Sequence, residues 1–511
     1  MELSALTLRR RDPAARRRAG GLDGALVAVF AVAVSAAGAA RPSLWFDEAA
    51  TISASTRTLP QLWGLLGNID AVHGAYYLLM HGWFAVFPAT EFWSRFSSCL
   101  AVGLAAAGVV ALARRFVGRS AAVTAGIVFA IMPRMTWAGI EARSYALTAA
   151  VAVWLTVLLV ECCRRRRLGL WACYGVGMAL ATVLNVFMVL LVLVHAAYIV
   201  DLRARRSALA WAGATGAAVV AVTPFLFFCR TQIAQVHWIS PLSADTIGEI
   251  LGRQYFDHSV AFAVCAALIL VPPLLIRRWR PTEPGARALI RLAVPWVVLP
   301  TAILLAYSAV AEPIYYPRYL TYTSPAMALL LGVCIVGLAR TRERATAVLA
   351  VLAVAATPNF LFVQRGPYAK EGMDFSQVAD VVTAHAAPGD CLVMDNTTTW
   401  LPGPIRPLTA ARPDAYAKLI DPGRGMRAAD RNRLWDAHLG IWGVADQIRR
   451  CTVLWTVSQR DGSVPERESG AALDPGPRLR RAPAYQVPER MGFHVVERWQ
   501  FNFAQIVKST R

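Results

Sequence analysis

The chain has 511 residues, 56% of them hydrophobic, and its 52 Lys+Arg against 32 Asp+Glu give a net charge of +20. So apolar a composition over this length excludes a soluble multidomain protein and points to a polytopic α-helical membrane protein. The cations cluster between apolar runs, so they mark topology in a lipid bilayer and imply no nucleic-acid partner.

Residues 1–23, with Arg9, Arg10, Arg11, Arg16, Arg17 and Arg18, read as a basic cytoplasmic N-terminus ahead of a first apolar run at 24–41. Cleavage as a signal peptide is not expected, because no small-residue site followed by a soluble domain is present and a cut would orphan the acidic pair that comes next. That pair is Asp47 and Glu48. Two adjacent carboxylates at the mouth of a membrane helix are costly to desolvate and usually serve chemistry; a solvated loop pair or a helix cap is the alternative.

Residues 43–92 are predicted to form an extracytoplasmic loop on the membrane surface, roofing a cavity, with the aromatic stretch Tyr76 to Phe84 at headgroup depth. Further apolar runs at 94–113, 120–135, 144–162, 169–184, 186–201, 208–228, 259–276, 287–309, 319–339 and 345–363 predict about 11 transmembrane helices in all. Arginine clusters at 114–119, 164–167, 203–206, 277–280 and 340–344 follow every second run. The positive-inside rule therefore places the clusters and the N-terminus in the cytoplasm and the C-terminal part outside a multi-pass cell membrane protein.

From residue 365 no run is long enough to span, and 365–511 is predicted as a small extracytoplasmic α/β domain. It has a helix at 378–386, a turn at Pro388-Gly389-Asp390 and strands beginning at Cys391 and Cys451, while 462–483 reads as a mobile loop. Cys391 and Cys451 are the two cysteines predicted to meet in an oxidising compartment, which makes them disulfide candidates. The other seven lie in or beside spans, where Cys is ordinarily a small hydrophobe.

Four motifs stand in order on the same predicted face: Leu44-Trp45-Phe46-Asp47-Glu48, His73-Gly74-Ala75-Tyr76-Tyr77, Glu141-Ala142-Arg143-Ser144-Tyr145 and Tyr316-Pro317-Arg318-Tyr319. Together they resemble the GT-C glycosyltransferases of the protein O-mannosyltransferase and aminoarabinose transferase type, over roughly residues 25–395. One departure is that the family's His-Pro-Pro is His73-Gly74-Ala75 here. The resemblance implies a catalytic membrane module at 24–364 and an inverting transfer of a sugar, most readily mannose, from a polyprenyl-phosphate donor. The acceptor would be a cell-envelope glycan, lipoglycan or protein. Asp47 would be the base for the acceptor hydroxyl, and Glu48 would orient the acceptor or hold Asp47.

A departing phosphate needs cations, and a guanidinium can bind phosphate through two parallel hydrogen bonds, so Arg143 and Arg318 are the donor-phosphate candidates. An ion pair between Arg143 and Glu141 is the structural alternative. His73, Tyr76, Glu141 and Tyr316 are weaker substrate-binding candidates. No residues stand at metal-ligand spacing, no cofactor is required, and a divalent cation is not argued by the sequence. No Gly-rich loop precedes a helix, which speaks against a soluble nucleotide-sugar donor. The rival readings are a transporter or flippase for a lipid-linked sugar, and a GT-C enzyme using an arabinosyl or aminosugar donor. A transporter should carry mid-depth charges and related halves, whereas the apolar runs here are nearly free of acids.

Overall fold

A computed structural model describes residues 13–396, 405–470 and 473–511. Arg9, Arg10 and Arg11 of the predicted basic N-terminus lie outside the described residues, and Arg16 to Arg18 fall within helix α1 (Pro13–Ala36). Helices α2 (Phe46–Ser55), α3 (Leu59–Leu66) and α4 (Gly74–Phe84) build the 43–92 loop. The bundle continues with α5 (Glu91–Ala113), α6 (Arg119–Ile131), α7 (Pro133–Ala138), α8 (Tyr145–Arg165), α9 (Leu168–Leu184), α10 (Leu191–Leu202) and α11 (Arg205–Thr231). A short α12 (Asp245–Gly248) runs into a wide turn at Glu249–Arg253, followed by α13 (Val260–Leu275), α14 (Pro284–Val310), α15 (Ser324–Ala339) and α16 (Arg342–Pro358).

Among the described residues six helices are long and apolar enough to cross a membrane: α5, α8, α11, α14, α15 with the tight turn before it, and α16 with the wide turn after it. Five more apolar helices, at 21–36, 119–131, 168–184, 186–202 and 260–275, are shorter. Every apolar run of the sequence lies on one of these. Three ion pairs tie together the ends that carry the arginine clusters: Asp23 with Arg119 at 2.7 Å, Glu161 with Arg115 at 3.0 Å, and Asp201 with Arg291 at 2.9 Å. The clusters thus share one end of the bundle, and the buried charges described below occupy the other. Small residues permit the close helix crossings between these ends. A Cβ on Gly332 of α15 would sit 2.7 Å from the backbone nitrogen of Ala125 on α6, so only glycine allows that approach.

The last apolar helix ends at Gln364, and a five-stranded sheet follows, with α17 (Phe375–His385) packed beside it. Its strands are β1 (Cys391–Met394), β2 (Val453–Gln459), β3 (Arg467–Ser469), β4 (His494–Gln500) and β5 (Ala504–Thr510), in spatial order β1-β2-β5-β4-β3. β1 and β2 are parallel and the other pairs antiparallel. The expectation of a mobile loop at 462–483 is corrected in part, because β3 lies inside it and completes the free edge of β4 through Arg467–Trp499 and Ser469–Glu497. A short, polar strand suits such an exposed edge.

Cys391 and Cys451 are joined in a disulfide with Cα atoms 6.0 Å apart, closing 60 residues of chain. In purified protein both thiols are expected to resist alkylation until reduced, and reduction is expected to remove about 2–4 kcal/mol of stability from the C-terminal sheet region. Alkylation of both without reduction would refute the link.

α2 lies between the bundle and the C-terminal sheet with its helices. Leu44, Trp45, Ala49 and Ile52 share one buried core with Phe375, Val378, Leu408 and Trp455. Rigid packing on both sides fixes the direction in which the first turn of α2 presents its acids.

Candidate active site

Asp47 opens α2 with its side chain 15% exposed, and two cations from different parts of the chain converge on it. Arg143, in the turn between α7 and α8, places Nη2 3.1 Å from Asp47 Oδ1, and Arg318 places Nη2 3.5 Å from Oδ2. Burial works to raise the Asp47 pKa, but the attraction of Arg143 and then Arg318 outweighs it and holds the carboxyl below its usual range. Arg143 is fixed from behind, where Nη1 donates to Tyr77 Oη at 2.9 Å and Tyr77 in turn donates to Asp70 at 2.6 Å. Its Nε, like that of Arg318, is buried without a hydrogen-bond partner. Arg318 is held by rings instead, its guanidinium 4.7 Å from Tyr316, 5.3 Å from Trp45 and 5.5 Å from Trp238.

Glu48 points the other way. It is fully buried, accepts from Arg95 Nε at 2.7 Å and Nη2 at 2.6 Å, and also takes the Ala142 N–H at 3.1 Å. Of its two expected roles, orienting the acceptor or holding Asp47, burial against Arg95 favours the second. Glu141 does not pair with Arg143. It is buried against Lys370 Nζ at 2.7 Å and Trp45 Nε1 at 2.7 Å; burial pushes its carboxyl up while Lys370 opposes the rise. The expected Arg143–Glu141 ion pair is corrected, and the pairing with Lys370 and Trp45 engages both carboxylate oxygens of Glu141.

Tyr76, 2% exposed, packs with Leu62, Leu65 and Met80 and its hydroxyl has no hydrogen-bond partner, whereas Tyr77 is the tyrosine that meets Arg143. The helical turn at 74–77 carries the two tyrosines to different faces. His73 is half-buried with its ring 5.9 Å from that of Tyr77, and burial followed by the charge of Arg143 lowers its pKa to about 4, so it is a neutral imidazole at neutral pH.

Beside Asp47 opens a cavity of 520 Å³ lined by Arg134, Arg253, Tyr316 and Arg318 and bounded by Phe362 and Val363. Arg253 donates to Tyr316 Oη at 2.8 Å, and Arg134 pairs with Asp257 at 3.3 Å. Phe362 and Val363 are 79% and 51% exposed on the apolar flank of the bundle, so the cavity joins an arginine-lined interior, in which Asp257 and Glu371 pair with Arg134 and Arg253, to an apolar outer wall. Sequence reasoning missed Arg95, Arg134, Arg253 and Lys370. The available signal for Arg95 and Arg134 was an arginine at the rim of an apolar run, which is costly unless it is paired. Among the described residues no group of three or more His, Cys, Asp or Glu is placed to hold a metal ion.

Residues 75–228 match the family described as dolichyl-phosphate-mannose-protein mannosyltransferase. Across nearly the whole chain the structure resembles ArnT from Cupriavidus metallidurans, with a TM-score of 0.55, 14% identity and coverage of 94% of this chain and 97% of that one. It also resembles the arabinofuranosyltransferase AftD from Mycobacteria, with a TM-score of 0.50 and 15% identity; 96% of this chain is covered but 40% of that longer one. No curated protein matches in sequence. The chain thus shares its fold with ArnT and with the matched part of AftD, and its segment 75–228 is similar to that mannosyltransferase family.

Proposed function

We propose that this protein transfers a sugar, mannose in the first instance, from a polyprenyl-phosphate donor to an acceptor hydroxyl on the outer face of the cell membrane. The observation that carries the reading is Asp47 gripped by Arg143 and Arg318, with Arg318 also part of an arginine-lined cavity that has an apolar outer wall. The donor's phosphate would enter past Phe362 and Val363 and take the unpartnered N–H groups of Arg318, helped by Arg253 and Arg134. Its polyprenyl tail would stay on the apolar flank.

The acceptor oxygen then attacks the anomeric carbon from the side opposite the phosphate while Asp47 takes its proton. The bond between the anomeric carbon and the phosphate oxygen breaks, and the polyprenyl phosphate leaves with the electron pair, neutralised by the arginines. A single displacement of this kind inverts the anomeric configuration. The name of the family matched at 75–228 makes mannose the first donor to test. The gathering of buried ion pairs at one end of the bundle argues against a flippase, which needs them at mid-depth.

Arg318→Ala is expected to weaken binding of polyprenyl-phosphate mannose by about tenfold or more, the loss of a charge-assisted hydrogen bond worth about 1.5–3 kcal/mol. Binding to purified protein in lipid nanodiscs measures this, and undiminished affinity would remove Arg318 from the donor site. Reporter fusions test the topology. A reporter active only outside the cell should be silent at residue 118 and active after residue 511, and the reverse would place the site in the cytoplasm. Comparing envelope glycans and glycoproteins of cells with and without the gene would name the sugar and the acceptor.

A further inference from the structure

A second cavity, of 600 Å³, lies between the far end of α2 and the C-terminal region, and among the described residues its lining comes from 53–57, Leu392 and 406–436, with none from the apolar helices. Two buried polar groups in its wall lack partners. Arg57 is 7% exposed, its Nε donates to Ser53 O at 2.9 Å and its Nη2 to the Arg433 carbonyl, yet its Nη1 has no hydrogen-bond partner. Tyr416 is 8% exposed and its hydroxyl is likewise unpartnered. Leaving such groups unmet costs about 1–3 kcal/mol each, so their retention in the wall of one cavity points to a ligand.

The charges specify its kind. Asp421 is taken by Arg406 at 2.5 Å, and Asp436 accepts the Ala428 N–H at 2.7 Å. Arg424 and Arg427 line the same wall, exposed and without a carboxylate partner among the described residues. Asp436 keeps its charge and acts on Arg57, so the lining sets the guanidinium groups of Arg57, Arg406, Arg424 and Arg427 against two carboxylates, beside the hydroxyls of Tyr416 and Thr409. That set recognises an acidic group carried on a polyhydroxylated molecule.

We propose that this cavity is an acceptor subsite for an acidic saccharide, one bearing a phosphate or a carboxylate. The assignment as acceptor rests on the glycosyltransferase reading above. α2 supplies the link between the two sites, since Asp47 stands in its first turn and Ser53 lies six residues on, about 9 Å along the axis. The segment 433–436 runs beside it, with Ser53 Oγ donating to Leu434 O at 2.6 Å and Trp435 5.2 Å from Phe46. A saccharide anchored at Arg57 could therefore extend along α2 and present its hydroxyl at Asp47.

The test is direct binding, in donor-free full-length protein in phosphatidylcholine nanodiscs, of mannose 6-phosphate, glucuronic acid and neutral mannose. At least one acidic sugar should bind, with mannose at least tenfold weaker, and whichever binds names the phosphate or the carboxylate as the group recognised. Arg57→Met should reduce that binding at least tenfold. Because Arg57 also braces Ser53 and Arg433, the exposed pair Arg424→Gln and Arg427→Gln provides a second arm, expected to weaken binding with an unchanged thermal melt. Equal binding of mannose, no binding of either acidic sugar, or full binding in the Arg424→Gln/Arg427→Gln protein would overturn the proposal. If the acidic sugars bind as expected while no lipid-linked donor supports transfer, the subsite stands and the transferase reading falls.

Discussion

Asp47→Asn is expected to leave the fold and donor binding nearly intact while sugar transfer falls at least about 10²-fold, the lower range for loss of a general base. The amide has the shape of the carboxylate, and its oxygen can still accept from Arg143 at the 3.1 Å position. What it cannot do is take a proton. In the free protein Asp47 is ionised at neutral pH, since burial, which disfavours the charge, is overcome by Arg143 and Arg318. A carboxyl held below its usual range is a weaker base until its cations are drawn off. Donor phosphate would do that, competing for the Arg318 contact at 3.5 Å, so Asp47 should become more basic when the donor is bound. The acid limb of kcat/KM, which reports the free enzyme, should then lie below the usual carboxylate range, and the acid limb of kcat should lie above it. Activity is lost in each case as pH falls through the relevant pKa. Near-normal transfer by Asp47→Asn, or coincident limbs, would take Asp47 out of the reaction.

How much of this was legible in the chain differs by residue. The apolar runs and their alternating arginines gave the helices, because hydropathy and charge act over windows of about 20 residues and tolerate local errors. Asp47, Arg143 and Arg318 were legible as a set through the motifs around them, and the structure brings all three together. The partners of Glu48 and Glu141 were not. Glu48 meets Arg95 across 47 residues and Glu141 meets Lys370 across 229, and local pattern carries no record of such pairings. Tyr76 and Tyr77 were indistinguishable by type; only the rotation of α4 about its axis decides that Tyr77 faces Arg143. β4 and β5 went unread because Glu497, Arg498 and Lys508 interrupt their apolar alternation, and Arg498 is buried there by pairing with Glu468.

Arg95→Met is the change expected to cost most in stability, about 3–5 kcal/mol, because it strips the counter-charge from a fully buried carboxylate. Arg95 uses all five of its N–H donors: two on Glu48, and three on the carbonyls of Ala39, Pro42 and Ser43. Those carbonyls form the path from α1 into α2, so one guanidinium holds the entry to the helix that carries Asp47. The double variant Arg95→Met/Glu48→Met should recover part of the loss, since an apolar pair of similar volume avoids the stranded charge. It should still fall short of the native protein because the three carbonyls remain unmet. Thermal melts of the native, single and double variants in nanodiscs separate these terms. Should Arg95→Met melt with the native protein, Glu48 would have to be protonated or hydrated in place, and the pair could not be what fixes Asp47. Transfer by the double variant supplies the second reading: recovered folding with transfer still depressed assigns Arg95 and Glu48 to positioning Asp47, whereas full recovery of both would leave the packing of α2 against Phe375 and Leu408 as sufficient to hold it.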